Sequence, residues 1–231
     1  MDKKNIWFIT AKTNLHVGDE NTSSYGLIDK AVQRDALTGL PCINSSSLKG
    51  ALNEYCCHGN NGNELLDSDT RIKIFGGDKK EKDKETKKGS YTFFDANILC
   101  LPKQDDTSFY KLVSCLKVVD MFIEKARLFG ITIDSEELKS KFGYSIICEE
   151  EFKTLCSDDN LPIIARNCLE NGTSTNLWYE QILPAETVFY TLIDSKDCNL
   201  LSNELNKDES IVQIGANATI GYGYCKFKSF K

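Results

Sequence analysis

The sequence is poor in the features that announce a common function. No apolar run approaches the roughly 20 residues that span a bilayer. The first residues, MDKKNIWF, lack a signal-peptide profile. A cytoplasmic protein with no membrane attachment is the expectation. Histidine is scarce, with His16 and His58 the two present. The ten cysteines contain no C-x-x-C, and Cys57-His58 completes no zinc spacing, so no metal site is read from the residues. Most of the cysteines are read as small buried hydrophobes in a reducing compartment. Positive charge is not in excess. A net charge of −6 argues against indiscriminate binding to nucleic acid, unless Arg34, Lys49, Arg166 and Lys226 gather on one face.

What is present suits one globular domain spanning residues 1–231: 41% hydrophobic and 27% charged residues. Residues 5–15 carry β-formers with partial alternation and read as a first strand. A polar loop follows through residue 44, with glycines that let the backbone turn. The run Ser45-Ser46-Ser47-Leu48-Lys49 reads as a helix start capped by Ser45 or Ser46, with a helix over 46–57. Such a start, beside Lys49, suits a phosphate; the plainer alternative is a solvated lysine. Residues 72–75 read as a short return and 76–89, GGDKKEKDKETKKG, as a mobile charged surface loop. A strand is expected over 90–101 with Asp95 inside it or at a bulge. Leu112, Leu116, Val119, Ile123 and Ala126 space a long amphipathic helix over 109–129. A short helix over 135–142 and a short strand over 144–152 come next. Extended segments at 161–170 and 177–183 are joined by NGTSTN, then a strand covers 187–193 and a helix 196–207. The chain closes as strand, glycine-rich turn and strand over 211–228. This alternation fits an α+β fold with an antiparallel sheet of the ferredoxin-like (RRM-like) kind.

The residues leave several roles open. Gly215, Gly221 and Gly223 could present backbone amides to phosphate or make a tight turn. They are no P-loop, since no G-K-[ST] closes them, and no dinucleotide fingerprint. Trp178 and Tyr179 could stack on bases or pack at the root of a hairpin. His16 could act as an acid or base. Asp29 by spacing alone is a cap or a solvated acid.

Five ordered blocks narrow these alternatives: LHVG (15–18), YGLIDKAVQRD (25–35), TGLPCINSSSLKGAL (38–52), NLWYEQILPAET (176–187) and IVQIGANATIGYGYC (211–225). Together they resemble the RAMP superfamily, and within it the repeated backbone subunit of type III-B CRISPR effector complexes. The middle of the chain, from about residue 59 to 161, is similar only in outline. The resemblance implies a ferredoxin-like palm with inserted lobes and a protruding β-hairpin thumb at 161–183. It implies a subunit that binds CRISPR guide RNA, packs head-to-tail with copies of itself and meets other effector subunits. It implies cleavage of complementary target RNA at regular intervals, in antiviral defence; a non-catalytic guide-binding scaffold is the alternative. On the matching positions, Asp29 of Gly26-Leu27-Ile28-Asp29 becomes the cleaving residue and His16 a secondary candidate. Magnesium or another divalent cation is expected as cofactor from the family alone. The RNA contacts implied are Arg34, Ser45, Ser46, Ser47, Lys49, Arg166, Trp178, Gly215, Gly221 and Gly223. Asp95 takes a structural role. The chain departs from the family at Asn53, where arginine is usual, and at residues 102–105.

Overall fold

The structure is a computed structural model that describes residues 3–18, 28–59, 62–77, 87–195 and 199–230. In chain order, β1 (Lys3–Ala11) is followed by β2 (Cys42–Ile43), α1 (Ser45–His58), α2 (Ser68–Phe75), β3 (Tyr91–Phe93) and β4 (Ala96–Gln104). Next come β5 (Tyr110–Cys115), α3 (Leu116–Leu128), α4 (Ser135–Phe142), β6 (Ser145–Ile147) and α5 (Glu149–Leu155). The last third holds β7 (Ile163–Glu170), β8 (Thr173–Gln181), β9 (Val188–Ser195), α6 (Leu200–Leu205), β10 (Val212–Gln213) and β11 (Tyr224–Ser229).

One sheet runs in the order β10-β11-β1-β9-β4-β5-β6, with β2 on β4 and β3 on β9. Its centre, β11-β1-β9-β4, is antiparallel throughout. The helix α1 lies between β1 and β4 in the chain, and α6 between β9 and β11. That is the β-α-β-β-α-β order of a ferredoxin-like palm. Everything from β5 to β8 is inserted between the second and third palm strands. Part of the insertion widens the sheet, with β6 added parallel to β5. The rest leaves it as the separate hairpin β7–β8.

Both faces of the central strands are covered. Adjacent residues of a strand point to opposite faces. Phe8 packs against Phe122, Phe142 and Phe230, while Trp7 meets Phe227 on the other side. Ile6, Trp7, Phe8 and Ile9 are accordingly all buried. Of the described cysteines six are buried, Cys57 is half-buried, and Cys148 and Cys168 are exposed. Among the described residues no helix is long and apolar enough to cross a membrane.

Several sequence expectations need correction. The helix expected over 109–129 begins only at Leu116, because residues 110–113 pair with β4 from Gln104 back to Leu101. Its buried face is Val118, Val119, Phe122 and Ala126, and Leu116 is exposed. Residues 72–75 end a helix rather than form an extended return, since Asp67 caps α2 by accepting the Thr70 amide at 3.0 Å. The strand expected over 144–152 stops at Ile147 and gives way to α5, whose first turn holds Glu149, Glu150 and Glu151. The N-cap of α1 is Asn44, without a side-chain cap, and neither Ser45 nor Ser46 takes that place. The first strand ends at Ala11, and Leu15 returns as a single bridge to Leu183. The strand over 90–101 is divided by Asp95 into β3 and β4. The hairpin turns at Asn171 and Gly172, both with positive φ, so most of NGTSTN belongs to β8. Most of the charged loop at 76–89, and Gly26 and Leu27 of the glycine motif, lie outside the described residues.

Candidate functional site

The loop after β1 returns alongside the end of β8 and brings Asp29 to the root of the hairpin. The contact is reciprocal. The Asp29 amide donates to the Tyr179 carbonyl at 3.0 Å, and the Asp29 carboxylate accepts the Tyr179 amide at 2.7 Å. The Lys30 amide also donates to the Tyr179 carbonyl, at 3.1 Å, and the Gln181 amide donates to the Lys30 carbonyl at 2.9 Å. A solvent-exposed carboxylate is thereby tied to a fixed piece of backbone.

Next to it Glu180 is 2% exposed and gathers four donors. Its oxygens accept from Trp178 Nε1 and Asn217 Nδ2, each at 2.7 Å, and from Lys30 Nζ and Arg166 Nε, each at 3.3 Å. Burial pushes the Glu180 pKa up, but hydrogen bonds from Trp178, Asn217 and Lys30 outweigh it and hold the carboxyl at about 2. The cations also lie on rings: Lys30 Nζ is 5.1 Å from the centre of the Trp178 indole, and the Arg166 guanidinium 4.7 Å from that of Tyr222. Trp178 and Arg166, both singled out from sequence, therefore sit together on one face of the root.

His16 is 2% exposed. Its Nδ1 lies 2.7 Å from the Gln181 carbonyl, which only accepts, so Nδ1 carries the proton in this contact. Nε2 faces Gly18, where an added Cβ would come within 3.1 Å. The ring braces the loop from inside rather than facing solvent.

The start of α1 lies elsewhere. The Ser45 amide is taken by the Asp95 carboxylate at 2.6 Å, which gives Asp95 the structural role expected of it. Ser47 Oγ accepts from Gln33 Nε2 at 3.1 Å, while Ser46 and Lys49 are exposed. Arg34 is committed to protein partners. Its Nε and Nη2 donate to Asp158 at 3.0 and 2.6 Å, and its Nη1 to the Gly39 and Cys156 carbonyls, each at 2.8 Å.

The glycine-rich turn is stitched to the same loop. The Ala216 amide donates to the His16 carbonyl at 2.9 Å and the Gly223 amide to the Asn14 carbonyl at 2.8 Å. Gly215 and Gly223 have φ of +82° and +80°, and a Cβ there would lie 2.2 Å from the His16 oxygen and 2.0 Å from the Ile214 oxygen. Gly221, at φ +83°, has open space where its Cβ would be. The backbone at Gly215 and Gly223 thus leaves no room for a side chain, as a tight turn requires.

Among the described residues no group of three or more His, Cys, Asp and Glu side chains could hold a metal ion. The chemistry of the donors at the root agrees. Glu180 is occupied by Lys30, Arg166, Trp178 and Asn217, so among the described residues touching the Tyr179 backbone the exposed carboxylate is that of Asp29. Sequence reasoning missed Lys30, Asp158, Glu180, Gln181, Asn217 and Tyr222. The one local signal was a charged residue inside the apolar stretch around 177–183; its partners are up to 150 positions away.

The fold and this site together define a ferredoxin-like palm whose inserted hairpin is rooted against the loop that carries Asp29. Residues 8–226 match the RAMP superfamily, and the chain belongs to it. A relative from Pyrococcus furiosus, the CRISPR system Cmr endoribonuclease Cmr4, is 25% identical over 265 residues, covering 87% of this chain and 88% of its own. Among solved structures, a chain of the type III-B Cmr-beta complex bound to cognate target RNA superposes with a TM-score of 0.75 at 19% identity, covering 98% of this chain and 97% of its own. Oligomeric Cmr4 from Pyrococcus furiosus gives 0.72 at 21% identity, covering 99% and 98%.

Proposed function

We propose that this chain is the repeated guide-RNA-binding backbone subunit of a type III CRISPR effector complex, and that it cuts complementary target RNA at regular intervals. Its partners are then guide RNA, target RNA, copies of itself in a head-to-tail filament and other effector subunits in the cytoplasm. A head-to-tail contact does not close on itself, which suits a filament. The relative named an endoribonuclease and the neighbours solved with target RNA or as an oligomer support this reading.

The observation that carries it is Asp29, exposed and held by Tyr179 at the hairpin root. A hairpin entering a guide–target duplex would displace a nucleotide and free the adjacent phosphate from helical geometry. That phosphate could then reach in-line alignment with its own 2′-hydroxyl. Asp29 would orient that hydroxyl and take up its proton, the bond from phosphorus to the 5′-oxygen would break with water supplying that oxygen's proton, and the fragments would end in a 2′,3′-cyclic phosphate and a 5′-hydroxyl. A divalent cation belongs to the same proposal. Asp29 would be its protein ligand, with RNA phosphate and water completing the shell as magnesium prefers. The ion would supply charge neutralisation at the phosphate. Exposed Ser46 and Lys49, and the open approach at Gly221, support contacts to the guide backbone.

The test is a denaturing gel of end-labelled target RNA cut by the assembled complex, with and without chelator. Asp29→Asn keeps an acceptor for the Tyr179 amide but loses the charge. It should bind guide and target normally and give no ladder of cuts. Cutting at the wild-type rate would move the chemistry away from Asp29. Intact target binding with no cleavage by the wild type would favour the scaffold alternative. A ladder unchanged by chelator would remove the cation from the proposal.

A further inference from the structure

Arg34 was read from sequence as a phosphate contact, yet its guanidinium spends its hydrogen bonds inside the protein. One oxygen of Asp158 accepts Arg34 Nε and Nη2 and also Gln181 Nε2, the last at 3.2 Å. Gln181 is fully buried. Its Oε1 accepts the Val32 amide at 3.2 Å, its own amide donates to the Lys30 carbonyl, and its carbonyl accepts His16. Arg34 Nη1 meanwhile holds the carbonyl of Cys156, at the end of α5. A continuous chain of polar contacts thus runs from the segment leading into the hairpin, through Asp158, to both sides of the strip 29–34 that carries Asp29.

We infer that Arg34, Asp158 and Gln181 form a strut that positions Asp29 against the hairpin root, and that Arg34 serves the reaction through this strut instead of gripping RNA. The physical argument is lever-like. The strip carrying Asp29 is exposed at residues 29 and 30, where backbone bonds to Tyr179 and Gln181 hold it, and its side-chain anchors lie at 32 and 34. Without Gln181 on Val32, or Asp158 on Arg34, the strip keeps its backbone bonds to Tyr179 and Gln181 but loses the side-chain anchors that stiffen it beyond the Lys30–Glu180 bridge. A displacement on the order of 1 Å at a reacting group costs about a hundred-fold in rate. Arg34, Asp158 and Gln181 are positioning residues in this account. The account rests on Asp29 being the cleaving residue.

The two roles for Arg34 predict opposite things for its partner. If Arg34 binds phosphate, Arg34→Gln weakens RNA binding and lowers the salt slope by about one. Asp158→Asn, which removes a competing negative charge, then tightens binding. If the strut is right, both changes slow cleavage alike and neither moves binding. The experiment is single-turnover cleavage by the assembled complex, with target-binding titrations across salt, for Arg34→Gln, Asp158→Asn, their combination and Asp29→Asn. Asp158 has a side chain 58% exposed, and asparagine is nearly isosteric, so this variant guards against misfolding. The expected result is a roughly ten- to hundred-fold slower cut for each single change. Affinity and salt slope should be unchanged, and the double variant no slower than either single, because the pair acts as one unit. A reduced salt slope for Arg34→Gln, or wild-type cutting by both single variants beside an inactive Asp29→Asn, overturns the strut. Wild-type cutting by Asp29→Asn overturns the assignment of Asp29 itself and the strut with it.

Discussion

The two ends of the β7–β8 hairpin are built on different principles. At the root, Glu180 and Gln181 are buried, and their side chains bond residues far away in the chain, from Lys30 and Val32 to Asn217. Towards the tip, Leu169 and Leu177 are 61% and 54% exposed. The side-chain bonds there are local: Ser174 Oγ to Asn167 at 2.7 Å and Thr175 Oγ1 to the Cys168 carbonyl at 3.2 Å. A register shift between Cys168 and Leu169 bends the tip further from regular pairing. The root is therefore defined by the fold, whereas the tip is defined by little more than its own turn and can adapt to what it meets. A carboxylate that must sit in one place belongs at the first end, and a surface that must enter something else belongs at the second.

The comparison can be broken most severely from the glycine-rich turn that braces the root. Gly223→Ala puts a Cβ onto a backbone oxygen at a positive φ, and should cost roughly 3 kcal/mol in urea unfolding. Gly221→Ala, with the same kind of φ but open space, should cost only about 1 kcal/mol. A smaller gap would mean that the turn yields and does not brace. Next in size is Glu180→Gln, which leaves Lys30 and Arg166 without their shared anion. About 2 kcal/mol is expected, since Lys30 stays half exposed and can turn to water.

The same variant sharpens the comparison through pH. The Glu180 carboxyl is held at about 2 in the folded protein, below an ordinary glutamate. The stability it contributes is therefore present above the ordinary value and lost as pH falls through about 2, since the unfolded chain binds the proton first. Wild-type stability should slope downward across that acid window, and Glu180→Gln should flatten the slope. The smallest effects belong to the tip: Leu169→Ser and Leu177→Ser should each change stability by under about 0.5 kcal/mol. A larger loss in thermal unfolding would show that the tip packs on the body.

The palm was legible because its strands are short runs of β-formers and its turns carry glycine, signals that are local. The hairpin was legible for the same reason. The region of residues 109–129 misled because Leu112 and Leu116 fall at helical spacing, while the pairing that makes residues 110–115 a strand comes from β4 and β6, elsewhere in the chain. The helix α2 was missed although Asp67 followed by Thr70 is a local capping signal. At the site, Asp29, Trp178 and Arg166 were each singled out by motif resemblance, but not their meeting at the hairpin root. Their organiser, Glu180, escaped notice because nothing near it in sequence announces Asn217 or Lys30 as partners. Arg34 shows the same limit: nothing in the sequence around it announces Asp158, far along the chain, as the carboxylate that holds it.

The distribution of the cysteines has a practical consequence for optical work. Burial pushes the thiols of Cys56, Cys156 and Cys225 up to about 12, so they carry almost no thiolate at neutral pH and resist maleimide. Cys168 lies exposed on the hairpin, and Cys148 exposed at the start of α5 on the body. Among the described residues these two are the exposed thiols, one on the hairpin and one on the body. With Cys57 and Cys198 replaced, a donor and an acceptor dye placed there would report the angle of the hairpin to the body.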